Sequence, residues 1–130
     1  MRHYLAVVHK DEGSAYGIHF PDIPGVFSAA DDADRIVANA VEALRLYGED
    51  IELPEPSSHA DIVARDDVRE ALSAGAYLVS VPLIDTDTAV VRANVTFERG
   101  VLRAIDEAAE ARGITRAAFL ASAARREIEA

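Results

Sequence analysis

The sequence predicts an α+β protein in two parts: a β-β-β-α-β unit over residues 1–84, then a strand followed by two helices over residues 85–130. Three observations predict it. Short alternating apolar runs, separated by turn residues, open the chain and a single helical apolar period follows them. A second alternating run then leads into two further helical periods. The charge changes with the pattern: residues 1–90 carry 6 Lys+Arg against 17 Asp+Glu, and residues 91–130 carry 7 Arg against 6 Asp+Glu. Such asymmetry suggests two surfaces with different partners.

The elements follow in order. Arg2 to Lys10 is rich in β-branched and aromatic residues and reads as a strand. Asp11-Glu12-Gly13-Ser14 is a turn cluster, and Tyr16, Ile18 and Phe20 alternate with Gly17 and His19 in a second strand, so the two form a hairpin. Pro24-Gly25 suits the centre of a type II turn, where proline presets φ and glycine accepts a positive one. Val26 to Ala29 makes a third short strand. Asp31, Asp32 and Asp34 form an N-cap and first-turn signature ahead of Ile36, Val37, Ala40, Val41, Leu44 and Tyr47, which recur at helical spacing until Gly48. Glu52 to Ser58 is an irregular connector, Asp66-Asp67 cap a short helix through Leu72 that Gly75 ends, and Tyr77 to Leu83 alternates as a further strand.

The last part has its own pattern. Val91, Ala93, Val95 and Phe97 fall on one side of a strand over residues 90–97, with Arg92, Asn94 and Thr96 on the other. A helix from about Glu98 carries Val101, Leu102, Ile105, Ala108 and Ala109 on one stripe, with Arg112 in its last turn and Gly113 as the stop. Thr115 N-caps a second helix bearing Phe119, Leu120, Ala124 and Ile128. A single strand has unpaired edges and a segment this short buries little surface, so two copies are expected to pair their strands antiparallel in an obligate dimer.

Composition narrows the chemistry. The net charge of -10 over 130 residues argues against indiscriminate attraction to nucleic acid. With no cysteine, disulfide scaffolds, thiol nucleophiles and cysteine-based zinc sites are excluded, and a reducing cytoplasm fits. The apolar stretch Tyr4 to Val8 is too short for a signal peptide and no run approaches a membrane span, so no membrane partner is expected.

A dimeric strand pair would display two copies of Arg92, Asn94 and Thr96 on one outward face. A two-stranded ribbon fits the DNA major groove, where Arg bonds guanine in bidentate fashion, Asn bonds adenine, and Thr meets a base edge or methyl. The start of the last helix, at Thr115-Arg116, offers backbone N–H groups and a positive charge to a phosphate. The same alternation also suits the plain solvent face of a dimerisation ribbon.

Two resemblances bear on this choice. Residues 90–128, with an alternating strand, a first helix, a Gly113-Ile114-Thr115-Arg116 corner and a second helix, resemble a ribbon-helix-helix DNA-binding domain of the CopG/Arc type. Residues 4–57 resemble the N-terminal domain of HicB antitoxins. The signature there is Tyr4, the Asp11–Gly13 turn, Phe20-Pro21-Asp22-Ile23-Pro24-Gly25, Asn39-Ala40, Glu42-Ala43-Leu44 and Pro54-Glu55-Pro56-Ser57. Ala30 and Arg35-Ile36 depart from the family pattern, which usually has Gly and Glu-Ala at those places. The resemblance implies a partial RNase H-like N-terminal domain that binds HicA, a small basic toxin that cleaves mRNA. It implies a C-terminal domain that dimerises and represses the pair's own promoter, as a homodimer or a tetramer of two dimers. The acidic part would steer and occlude a cationic toxin. Which residues touch the toxin does not follow from the sequence.

Rival chemistries find little support. A two-metal nuclease needs carboxylates converging on one point, but Asp11 and Asp22 fall in turns, and Asp31, Asp32 and Asp34 serve as helix-capping residues ahead of Glu42. His3, His9 and His19 lack ligand spacing and read as exposed sheet-face residues. No catalytic residue, metal or cofactor is therefore expected. The remaining alternative is an orphan ribbon-helix-helix regulator with no toxin partner.

Overall fold

The computed structural model describes all residues, 1–130. It is a mixed α+β structure that divides into two compact units, Met1–Asp85 with Glu129–Ala130, and Thr86–Ile128.

The first unit is built on a four-stranded antiparallel sheet. Its strands are β1 (Arg2–Lys10), β2 (Tyr16–His19), β3 (Phe27–Ala30) and β4 (Tyr77–Leu83), in the order β3-β2-β1-β4. The expected hairpin forms, with Val8 opposite Ile18 and Lys10 opposite Tyr16. The turn after β2 closes from the Val26 N–H to the Ile23 carbonyl, with Gly25 at φ 93°, a conformation that a Cβ would strain. Strand β3 begins one residue later than the alternation suggests, and β2 ends one residue short of Phe20.

Helix α1 (Ile36–Gly48) covers one face of the sheet. Its buried Ile36, Ala40, Val41 and Leu44 meet Tyr4, Ala6 and Val8 from β1 and Ile18 from β2. On the opposite face Val7 packs with Ile62 and Val68, which come from α2 (His59–Val63) and α3 (Asp66–Ser73). The sheet is thus covered on both sides, and β1 supplies alternate residues to each cluster.

Three expectations about helix starts change. Ala33–Arg35 forms a tight 3-10 turn ahead of α1, with the Arg35 N–H bonded to the Asp32 carbonyl at 3.1 Å. Neither Asp32 nor Arg35 caps through its side chain, so the carboxylates of residues 31–34 act on the helix only through its dipole. Helix α3 is preceded by Arg65, and its two aspartates sit in the first turn, Asp67 paired with Arg65 and Asp66 with Arg69. The extra helix α2 was not expected. Ser58 Oγ caps it by accepting from the Asp61 N–H at 3.1 Å.

The second unit holds α4 (Arg99–Ala111) and α5 (Arg116–Ile128). The corner between them closes with the Ile114 N–H on the Ala109 carbonyl and the Gly113 N–H on the Glu110 carbonyl, both at 3.0 Å. Residues 84–98 carry no helix and join no strand ladder within the chain. No helix is long and apolar enough to cross a membrane.

Candidate functional site

The residues expected to read DNA lie in the second unit. Arg92, Asn94 and Thr96 are all exposed. So are the apolar residues that alternate with them: Val91 is 84% and Val95 66% accessible, and Phe97 is partly exposed. An apolar row left in water at alternate positions is surface that a single chain does not cover.

At the helix corner, the Thr115 side chain caps α5 by accepting from the Ala118 N–H at 3.1 Å. Arg116 is engaged: its Nε and Nη2 donate to the two Asp106 oxygens, each at 2.8 Å. That fork-to-fork pair holds Asp106 below the usual carboxylate range and raises the guanidinium above its own. The Arg112 guanidinium lies 5.2 Å from the centre of the Phe119 ring. The two arginines therefore brace α4 against α5, and the donors at the start of α5 are chiefly backbone N–H groups. Thr115 and Arg116 are neighbours there, whereas Arg92, Asn94 and Thr96 form a separate exposed row.

In the first unit, the residues that carried the family signature make a clamp. Asp22 accepts from the Ser57 N–H at 2.8 Å and from Ser57 Oγ at 2.6 Å. The buried Tyr4 hydroxyl donates to the Pro54 carbonyl at 2.6 Å, and burial raises its pKa. Arg65 donates to the Pro21 carbonyl at 2.7 Å. The Asp22–Ser57 bonds tie the turn after β2 to the connector after α1, the Tyr4–Pro54 bond ties β1 to that connector, and Arg65 ties the turn to the start of α3, across 35, 50 and 44 positions respectively. Asn39 performs a similar task on β3, donating to the Ala29 carbonyl at 2.9 Å. None of these bonds could be read from local pattern. The α2 cap could have been, since Ser58-His59-Ala60-Asp61 has the Ser-x-x-acid spacing of a helix start.

Both Asp22 oxygens are thus committed to Ser57, and no group of three or more His, Asp or Glu side chains is close enough to hold a metal ion. His9 and His19 do meet across β1 and β2, their ring centres 5.7 Å apart. The His9 ring lies over Gly17 so closely that a Cβ there would fall 2.5 Å from Nε2.

The sequence matches the model of the HicB_like antitoxin of bacterial toxin-antitoxin systems over residues 4–124. The chain belongs to this HicB-like antitoxin family. Solved structures agree. The crystal structure of the Burkholderia pseudomallei antitoxin HicB is 37% identical, with 95% of this chain and 96% of that one aligned at a TM-score of 0.52. The antitoxin HicB3 crystal structure is 29% identical over 97% of each chain, with a TM-score of 0.53. A chain of the HicA3 and HicB3 toxin-antitoxin complex is 25% identical and aligns 64% of this chain with 99% of its own, at a TM-score of 0.52. No curated protein matches the chain. Among HicB-like antitoxins, then, this one has an acidic α+β first unit and a helical second unit whose leading segment is bare.

Proposed function

We propose that this HicB-like antitoxin binds and occludes a small, basic, mRNA-cleaving toxin of the HicA type through residues 1–84. We further propose that residues 85–130 form a dimeric ribbon-helix-helix that represses its own promoter. The first unit would then be a partial RNase H-like fold and the whole an autoregulated, cytoplasmic pair. The toxin reading is supported by the relative found in a complex of HicA3 and HicB3, and by the concentration of negative charge in the first part of the chain.

The observation that carries the DNA reading is the bare segment of residues 90–97. Pairing two copies antiparallel would bury Val91, Val95 and Phe97 against α4 and α5 of the dimer, and would turn Arg92, Asn94 and Thr96 outward as one ribbon face. Thr115 and the first-turn N–H groups of α5 would then take a phosphate, with Arg116 held beside it by Asp106. The test is binding to the DNA immediately upstream of the gene, titrated with salt, beside an Arg92/Asn94/Thr96 triple-alanine variant. Saturable binding that the variant loses supports the repressor. Equal binding by both overturns the ribbon as the reader.

A further inference from the structure

Strand β3 ends the sheet on one side and β4 on the other. The β4 edge carries Pro82, which has no N–H to offer, whereas β3 has no proline. Phe27 and Leu46 flank the β3 edge, one on each side of the sheet. Phe27 lies opposite His19, on the Val7 face but beyond the reach of α2 and α3, and is 73% accessible. On the α1 side, Leu46 is 59% accessible and lines a shallow groove of about 280 Å³ with Ser28, Ala29, Asn39, Glu42 and Ala43. Exposed apolar side chains on both sides of an unpaired edge are the elements of strand addition, in which backbone bonds give affinity and flanking pockets give specificity.

Charge selects the occupant. Asp31, Asp32 and Asp34 follow β3 directly, Glu42 stands in the groove, and Arg35 is the one cation in the run from 27 to 42. A second copy would bring the same carboxylates against themselves, which disfavours self-pairing; a cationic segment is attracted. We infer that the β3 edge and its groove are where the acidic unit receives the toxin: a basic, extended segment pairs with Phe27–Ala30 and sets an apolar side chain against Ala43 and Leu46. This rests on the antitoxin reading above. Asn39 holds β3 in place through the Ala29 carbonyl, whose second lone pair stays available to an incoming N–H.

The test uses the full-length protein and, as probe, the small basic HicA-type toxin that the antitoxin reading pairs with it. Affinity is measured for the native chain and for Leu46→Lys, Ala29→Pro and, on the opposite edge, Tyr77→Lys, after far-UV spectra and melting confirm that each is folded. Native binding that weakens with salt, about tenfold or greater loss in both Leu46→Lys and Ala29→Pro, and little change in Tyr77→Lys are expected. Native binding with Leu46→Lys and Ala29→Pro within about twofold of it would overturn the β3 site while leaving the antitoxin reading intact. No binding by the native chain would overturn both. A change of oligomeric state in Leu46→Lys without toxin would make the edge a self-interface and overturn the assignment.

Discussion

The two units close their apolar surface in different ways. In the first, α1 and the α2–α3 pair cover the two faces of the sheet, and Tyr4, Phe20, Ile18, Leu44 and Ile62 are almost wholly buried within one chain. Beyond Leu83 the one buried apolar residue is Ala109, while Val90, Val91 and Val95 lie open to water. A sheet whose strands all find partners is complete by itself; an alternating segment without a ladder leaves its apolar side chains in water, and in the proposed dimer a second copy covers them. The first unit should therefore unfold independently of protein concentration, and the second should not.

Two substitutions of the same kind test this contrast most strongly. Phe20→Ala opens a cavity in the first core and is expected to destabilise it by about 3–5 kcal/mol, with a urea midpoint that is the same at low and high protein concentration. Phe97→Ala is expected to act on association: a loss of about 3–5 kcal/mol per enclosed ring, read as dissociation in sedimentation and as a melt that recovers at high concentration. A dimer unaffected by Phe97→Ala would show that Phe97 lies on the outer face and that the assignment of the two strand faces is reversed.

The next effect separates shape from recognition in the second unit. Arg92→Ala and Asn94→Ala should each weaken specific DNA binding by about 1–3 kcal/mol and leave the dimer assembled. Either variant binding operator DNA like the parent removes that residue from the set of base readers. Asp22→Ala probes the first unit alone. It removes the acceptor for two Ser57 bonds and is expected to cost about 1–3 kcal/mol in denaturant unfolding without altering DNA affinity. An unchanged unfolding curve would mean that the clamp is replaced by water at no loss.

What the sequence disclosed follows from the range of the forces involved. Strand β1, the Pro24-Gly25 turn, the apolar stripe of α1 and the Thr115 cap depend on neighbours a few residues away, and all were legible. Helix α2 left only its Ser58 cap as a local signal, because five residues with Ile62 as their one buried member show no period. The Asp22–Ser57 clamp and the placement of β4 beside β1 bring distant segments together, which local alternation does not encode. Arg116 illustrates the same limit at a candidate contact. Its charge was evident, but its bidentate partner Asp106 lies ten positions away, reached only because the chain turns back at Gly113. Arg92, Asn94 and Thr96 follow from alternation alone, and their exposure is compatible with either a DNA-reading or a plain solvent face.

The smallest effect concerns protons, and it too should distinguish the units. Burial, and then the neighbouring His9, lower the pKa of His19; Asp67 opposes and Arg65 adds to the shift. The folded first unit thus disfavours the charged imidazole relative to the unfolded chain, whose value is near 6.5. Between the lowered folded value and about 6.5 the unfolded chain binds more protons, so stability rises with pH in that window. The contribution is complete above about 6.5 and declines as the pH falls toward the folded value. His19→Gln removes the titration while keeping a polar side chain on β2. Urea unfolding of the first-unit transition, measured for parent and variant from weakly acidic to neutral pH, should give a parent that loses stability faster on acidification. The concentration-dependent transition of the second unit should be the same in both proteins. Parallel pH profiles for the first transition would show that His19 is as readily protonated in the fold as in water, and that the His9–His19 contact places no electrostatic load on the sheet.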